Sequence, residues 1–155
     1  MYKYYLIFFL TFASSEIKTE SLDYKFSNWS GKPISVYVTK PKKIDSSTRL
    51  VVVMHGRKRN AEEYRNQWIE VSKELNLLVV VPEFSNKNFP EVWGFNYGNV
   101  KTKTLKPVQK NLHAFSAIEP IVLEAIKKFN LKSNHWGIYG HGAGAHFVHR
   151  YVLHR

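Results

Sequence analysis

The stretch His135-Trp136-Gly137-Ile138-Tyr139-Gly140-His141-Gly142-Ala143-Gly144-Ala145 runs from a strand-like segment, through a tight glycine turn, into a segment that continues as helix to about Leu153. The upstream sequence supplies the rest of a sheet. Leu50-Val51-Val52-Val53-Met54 is an unbroken apolar run, as in a strand buried on both faces, and Leu77–Val81 is another that stops at Pro82. Between them Asn60 caps a helix, Glu63 completes a capping-box pattern, and Tyr64, Trp68, Val71 and Leu75 recur at helical spacing to about Asn76. A helix between two buried strands is the βαβ unit of a parallel sheet. Further out, Leu22–Trp29 and Ile34–Thr39 alternate like strands around the Ser30-Gly31-Lys32-Pro33 break. Residues from Ser116 to Phe129 read as helix, with Ser116 and Glu119 as a second capping box and Pro120 in the first turn. The fold class is α/β.

With 155 residues, 44% hydrophobic and 23% charged, the chain accommodates one packed domain and is not of disordered composition. It has no cysteine, which removes disulfides, thiolate metal sites and cysteine nucleophiles. Residues 1–15 carry Lys3, the apolar run Tyr4–Ala13 and then small residues, the pattern of a signal peptide cleaved after Ser15. The run is too short to span a bilayer, which takes about 20 apolar residues, so no stable membrane anchor is expected. The expectation is a secreted or periplasmic chain whose domain occupies residues 16–155. Its formal charge is +11, and cleavage would remove only Lys3 from that balance. The bases fall in short loop-like groups (Lys40, Lys42, Lys43; Arg57, Lys58, Arg59; Lys101, Lys103, Lys106, Lys110) with no nucleic-acid-binding module, so no nucleic-acid partner is expected.

The glycine turn admits three readings. As G-x-S-x-G, Gly140 and Gly144 are the flanking glycines of a nucleophile elbow, with Gly142 where the serine would stand. As G-x-G-x-x-A it matches a dinucleotide fingerprint. That motif wants an acidic residue about 20 positions on, whereas the ten residues after Ala145 contain none, so no cofactor is expected. As part of a histidine cluster (His141, His146, His149, His154) it lacks the H-E-x-x-H pattern and a carboxylate partner, so no metal is expected.

Taken together, His55-Gly56 with Arg59-Asn60-Ala61 and Tyr64, Val81-Pro82-Glu83-Phe84, Phe89-Pro90, Tyr97-Gly98-Asn99-Val100, Ala117-Ile118-Glu119-Pro120 and the elbow frame resemble the α/β-hydrolase superfamily. The likeness is strongest to secreted bacterial esterases of the polyhydroxybutyrate-depolymerase and feruloyl-esterase type, over roughly Leu50 to Arg155. The resemblance implies the N-terminal half of such a sheet, mostly parallel, in strand order 1-2-4-3-5 with flanking helices. It implies an oxyanion hole from Gly56 and the amides of Arg57 and Ala143, and an ester, small or polymeric, as partner. It also places His141 as a support of the elbow (Gly140, His141, Gly142, Ala143, Gly144). The family's acid and histidine follow the elbow helix, and the sequence ends about one helix after it. With glycine at 142, no triad member is present, and no catalytic residue is assigned.

Three expectations concern what surrounds this frame. The rings of Phe84, Phe89, Trp93, Phe95 and Tyr97 pack under a long loop rather than form a ligand platform, and Trp136 is core. Arg57-Lys58-Arg59 after the oxyanion turn reads as a solvated run rather than as a feature that favours an anionic substrate. The strand at 135–140 is an open edge that recruits a second copy or a complementing chain, and the helix after it exposes Phe147, Val148, Tyr151 or Val152. Three functional readings follow: a truncated or degenerate serine-esterase-like hydrolase without activity by the triad route, a non-catalytic module that binds a ligand or partner, and half of a split enzyme.

Overall fold

The computed structural model describes residues 22–154, so the signal-peptide reading and the domain limits at 16 and 155 lie outside the described residues. Five strands form one sheet: β1 (Tyr24–Phe26), β2 (Ile34–Thr39), β3 (Arg49–Met54), β4 (Leu77–Glu83) and β5 (Trp136–Gly140), in the order β1-β2-β4-β3-β5. The order is the expected one. The sheet is mixed rather than mostly parallel: β3 pairs parallel with β4 and β5, while β2 pairs antiparallel with β1 and β4. The tight Ser30–Pro33 connection returns the chain beside itself, which only an antiparallel pair allows.

The alternation of side chains along the strands assigns each residue to a face. Ile34, Val36 and Val38 of β2, Leu50, Val52 and Met54 of β3, and Leu78 and Val80 of β4 enter one large core. That core is completed by α4 (Ile118–Lys128) and α5 (Ala143–His154). Val53, Val79 and Val81 point the other way, under α1 (Ala61–Gln67) and α2 (Ile69–Glu74), with Tyr64 and Trp68 packed against them. The result is a sheet between two helical layers. Apolar residues on both faces of β3 and β4 explain why these runs are continuous.

The helix expected over 60–76 is broken in two at Trp68, whose φ of −95° and ψ of 0° depart from helical values. Neither capping box forms. The Asn60 amide meets the Glu63 carboxylate, and its side chain caps no backbone amide. The Ser116 hydroxyl donates to the carbonyl of Lys110, and α4 starts two residues later, after a 3₁₀ turn at Ala114–Ala117. At the other ends Asn76 and Asn130 stop α2 and α4 in the left-handed region, at φ 52° and 51°. Asparagine is the side-chain-bearing residue best suited to that role. Asn76 also bonds Asp45, Ser47 and Thr48, which fixes the β2–β3 connection to the sheet. β4 runs past Val81 to Glu83. Pro82 is tolerated there because its β2 partner is Val36, while the β3 ladder ends at Val80.

β5 is an edge strand among the described residues, and Tyr139 is exposed on it. Trp136 is half-buried against the large core rather than fully within it. The helix beyond β5 meets the expectation at Val152 alone. Phe147 and Tyr151 are buried, Val148 is half-buried, and Val152 and Leu153 are exposed. The reason is the long loop after β4, whose Phe84 and Phe95, with Phe115, lie within 5.5 Å of the Phe147 ring. Among the described residues no helix is long and apolar enough to cross a membrane.

Candidate functional site: the glycine turn and its cleft

β5 ends at Gly140 and α5 begins at Ala143, so the chain reverses within two residues. The space around the three glycines separates their roles. A Cβ on Gly140 would lie 2.4 Å from the carbonyl group of Gly144, and one on Gly144 would lie 2.3 Å from the carbonyl oxygen of Met54. Both contacts are with backbone, which has no flexible end to move away. Gly142 is different: its φ is +55°, and a Cβ there would meet nothing within 4 Å. The turn is therefore closed to side chains at its two flanks and open at its centre. The Gly144 amide donates to the carbonyl of His141 at 2.9 Å, and the His146 amide to that of Gly142 at 3.2 Å, which starts the helix. The His141 side chain is exposed, and it is the residue's carbonyl that serves the turn.

The second component follows β3. His55 is fully buried, and the backbone amide of Phe84 donates to its Nε2 at 3.0 Å. Nε2 thus carries the lone pair, and the proton sits on Nδ1, which donates to the Gly56 carbonyl at 3.0 Å. Burial pushes this histidine down to about 4, the Gly56 bond offsets part of that, and the Arg59 charge adds to it. His55 is a neutral strut between β3 and the loop after β4. Its Nε2 is not available as a base.

Arg57, Lys58 and Arg59 come next, and here the expectation of a solvated run fails at one position. Arg57 and Lys58 are exposed. Arg59 is half-buried, with φ 60°, and its guanidinium donates to the carbonyls of Phe84 (2.9 Å), Phe89 (3.2 Å) and Glu91 (2.8 Å). It also lies 4.2 Å above the centre of the Phe95 ring, and burial lowers it to about 10. One side chain thus ties down the loop that leads to α3 (Glu91–Gly94). Phe84, Phe89 and Phe95 are buried beneath that loop, as expected of packing rings, whereas Tyr97 is exposed under the Arg150 guanidinium. No sequence signal set Arg59 apart from Arg57 and Lys58, because the carbonyls it meets lie 25, 30 and 32 residues further along the chain.

Arg57 and Ala143, the two residues whose amides the resemblance implies as an oxyanion hole, line one cleft of about 700 Å³. The Arg57 amide donates no hydrogen bond among the described residues, and Ala143 is the first residue of a helix, where amides lack intrahelical acceptors. His141, His146, His149 and His154 are exposed, and no cluster of three metal-ligating side chains occurs among the described residues.

No protein-family profile matches the chain, and no curated protein matches it. Solved structures do. It is similar to poly(aspartic acid) hydrolase-1 from Sphingomonas sp. KT-1, with TM-score 0.80 and 37% identity over 85% of this chain and 50% of that one. It is similar to a poly(3-hydroxybutyrate) depolymerase from Bordetella parapertussis, with TM-score 0.72 and 28% identity over 81% of this chain and 43% of that one. A siderophore hydrolase from Aspergillus nidulans shares the fold, with TM-score 0.51 and 15% identity over 100% of this chain and 55% of that one. The chain spans about half the length of the structures it matches. The shared architecture is the α/β-hydrolase fold of esterase-type hydrolases, as the resemblance implied.

Two predictions follow from this geometry. Gly142→Ala fits the space and bears only the left-handed strain of about 1–2 kcal/mol, a fall in Tm of about 2–8 °C. Gly144→Ala loses more than that or fails to fold; thermal melts followed by circular dichroism compare the two. The second concerns pH. His55 has a folded-state value near 4 against 6.5 unfolded, so the unfolded chain binds its proton first. Stability from this group is complete above about pH 6.5 and declines toward pH 4, by on the order of 3 kcal/mol. Urea titrations between pH 4 and 7 should show that slope, and His55→Gln should flatten it.

Proposed function

We propose that this chain is a degenerate serine-esterase-like α/β hydrolase of an exported type, which keeps the acyl-binding frame and does not hydrolyse esters by the serine route. The observation that carries the reading is the open centre of the turn. Gly142 has the left-handed φ and the free volume of a nucleophile position, between flanks that admit no side chain, and glycine offers no atom to attack a carbonyl.

The amides of Arg57 and Ala143 would hold a carbonyl oxygen at the cleft, which is a binding role even without turnover. The buried His55 cannot substitute as a base, because its lone pair is taken by the Phe84 amide. The similar structures are hydrolases of poly(aspartic acid) and of poly(3-hydroxybutyrate), which supports an acyl polymer or a small ester as the compound bound. The cleft of about 700 Å³ favours a second reading on the same scaffold, a non-catalytic module that binds such a ligand. The open edge of β5 is where a second copy or a complementing chain would add a strand.

Assays with p-nitrophenyl esters should give no release above the uncatalysed rate for the chain as it stands, nor for Gly142→Ser alone. Hydrolysis by the unaltered chain sinks the reading. Activity of Gly142→Ser only with a second chain carrying an acid and a histidine would favour the split-enzyme reading instead. Export is tested separately: the chain recovered outside the cytoplasm should begin at Glu16, and recovery of intact Met1 from the cytoplasm alone would reject it.

A further inference from the structure

We propose that the cleft beside Gly142 takes an acyl compound bearing carboxylates, with Arg57 and Lys58 as the side chains that hold its negative charge. This rests on the reading of the cleft as the acyl site and adds the chemistry of its occupant.

The lining decides the point. Small-molecule pockets are mostly apolar with a few placed polar groups. Here Val92 and Ala143 are the apolar side chains among the described lining residues, and the remainder are charged or amide-bearing. Apart from Glu91, the other lining side chains carry donors. Arg57 and Lys58 are exposed at the rim, and among the described residues no acidic side chain pairs with either. Asn86 turns its oxygen to the Glu91 amide at 3.1 Å, which leaves its NH₂ group for a ligand, and Asn96 adds a second amide. Arg59 is committed to three backbone carbonyls, yet its charge remains beneath the floor.

One acid lines the cleft, Glu91, and it pairs with Lys103 at 3.3 Å. The site therefore carries an excess of positive charge next to the Arg57 amide. The field is reinforced by the start of α5, a twelve-residue helix with no acidic residue in its first turn. Lysine and arginine at the mouth of a concave site raise the local concentration of anions and fix their carboxylates by charge-assisted hydrogen bonds. A nucleic acid fits less well. No aromatic face lines the cleft for base stacking, since the nearby Phe95 ring is buried and covered by Arg59.

Calorimetric titration of the full chain with a short oligo-aspartate, a neutral 3-hydroxybutyrate oligomer of equal length and a single-stranded oligonucleotide tests this. The oligo-aspartate should bind at least about tenfold more tightly than the neutral oligomer. Arg57→Gln with Lys58→Gln should remove roughly that factor. Lys42→Gln with Lys43→Gln, beyond the β2 end that faces the start of β4, should leave it unchanged. Circular dichroism confirms that each variant is folded. Equal affinity for the acidic and neutral oligomers overturns the carboxylate preference but leaves the cleft as an acyl site. Binding of neither oligomer overturns both. An equal loss in the two double variants, or tighter binding of the oligonucleotide, reduces the effect to net charge and overturns the assignment.

Discussion

The arrangement depends on backbone meeting backbone where β5, the start of α5 and the end of β3 converge. Gly144 brings its α-carbon against the Met54 carbonyl, and Gly140 brings its own against Gly144. Any side chain at either place would push α5 away from the sheet. Phe147, one turn into α5, would then leave the ring cluster with Phe84, Phe95 and Phe115. A fully buried aromatic contributes on the order of 3–5 kcal/mol when judged by truncation, a large share of the stability of a domain this size. The turn is thus coupled to the core by a few ångströms of missing side chain.

Two polar groups inside this region are placed so that neither is left unpaired. His55 has no solvent, but it gives a proton to one carbonyl and takes one from an amide, which links the end of β3 to the end of β4. Arg59 answers the carbonyls of a loop that has almost no ladder of its own. Burying either charge unpaired would be costly. His55 avoids the cost by staying neutral, and Arg59 by binding three oxygens and an aromatic face. Arg59 lines the cleft and His55 lies behind it, joining β3 to the loop that carries the cleft's Asn86 and Glu91.

Most of the sheet was legible because its signals are local. The period-2 runs of β2 and the unbroken runs of β3 and β4 state which faces are buried, and the Gly140–Gly144 spacing states where strand becomes helix. What was missed is non-local. The break at Trp68 has no breaker residue in the sequence, and it falls where the Trp68 ring packs against Val79, Val81 and Tyr139. The capping boxes failed because the Asn60 and Ser116 side chains found other partners. Arg59 looked like its two solvated neighbours, and only the folded loop brings three carbonyls to it. Phe147 and Tyr151 looked exposed because the loop that covers them has no periodicity that would place it there.

The same distinction bears on how the turn is to be understood. Gly140 and Gly144 are demanded by packing, so their presence identifies the turn and not the group that would react at its centre. A serine at 142 would be demanded by chemistry alone: its Cβ would meet nothing within 4 Å, and it would sit at a φ that costs a side-chain-bearing residue about 1–2 kcal/mol. Glycine removes that strain and leaves every surrounding contact as it was. Loss of a nucleophile at this position is therefore favourable for stability, whereas loss of either flank is not. A frame kept at 140 and 144 around a glycine at 142 is what folding alone would preserve. The charge at the rim is not explained in that way, because Arg57 and Lys58 are exposed and form no ion pair among the described residues.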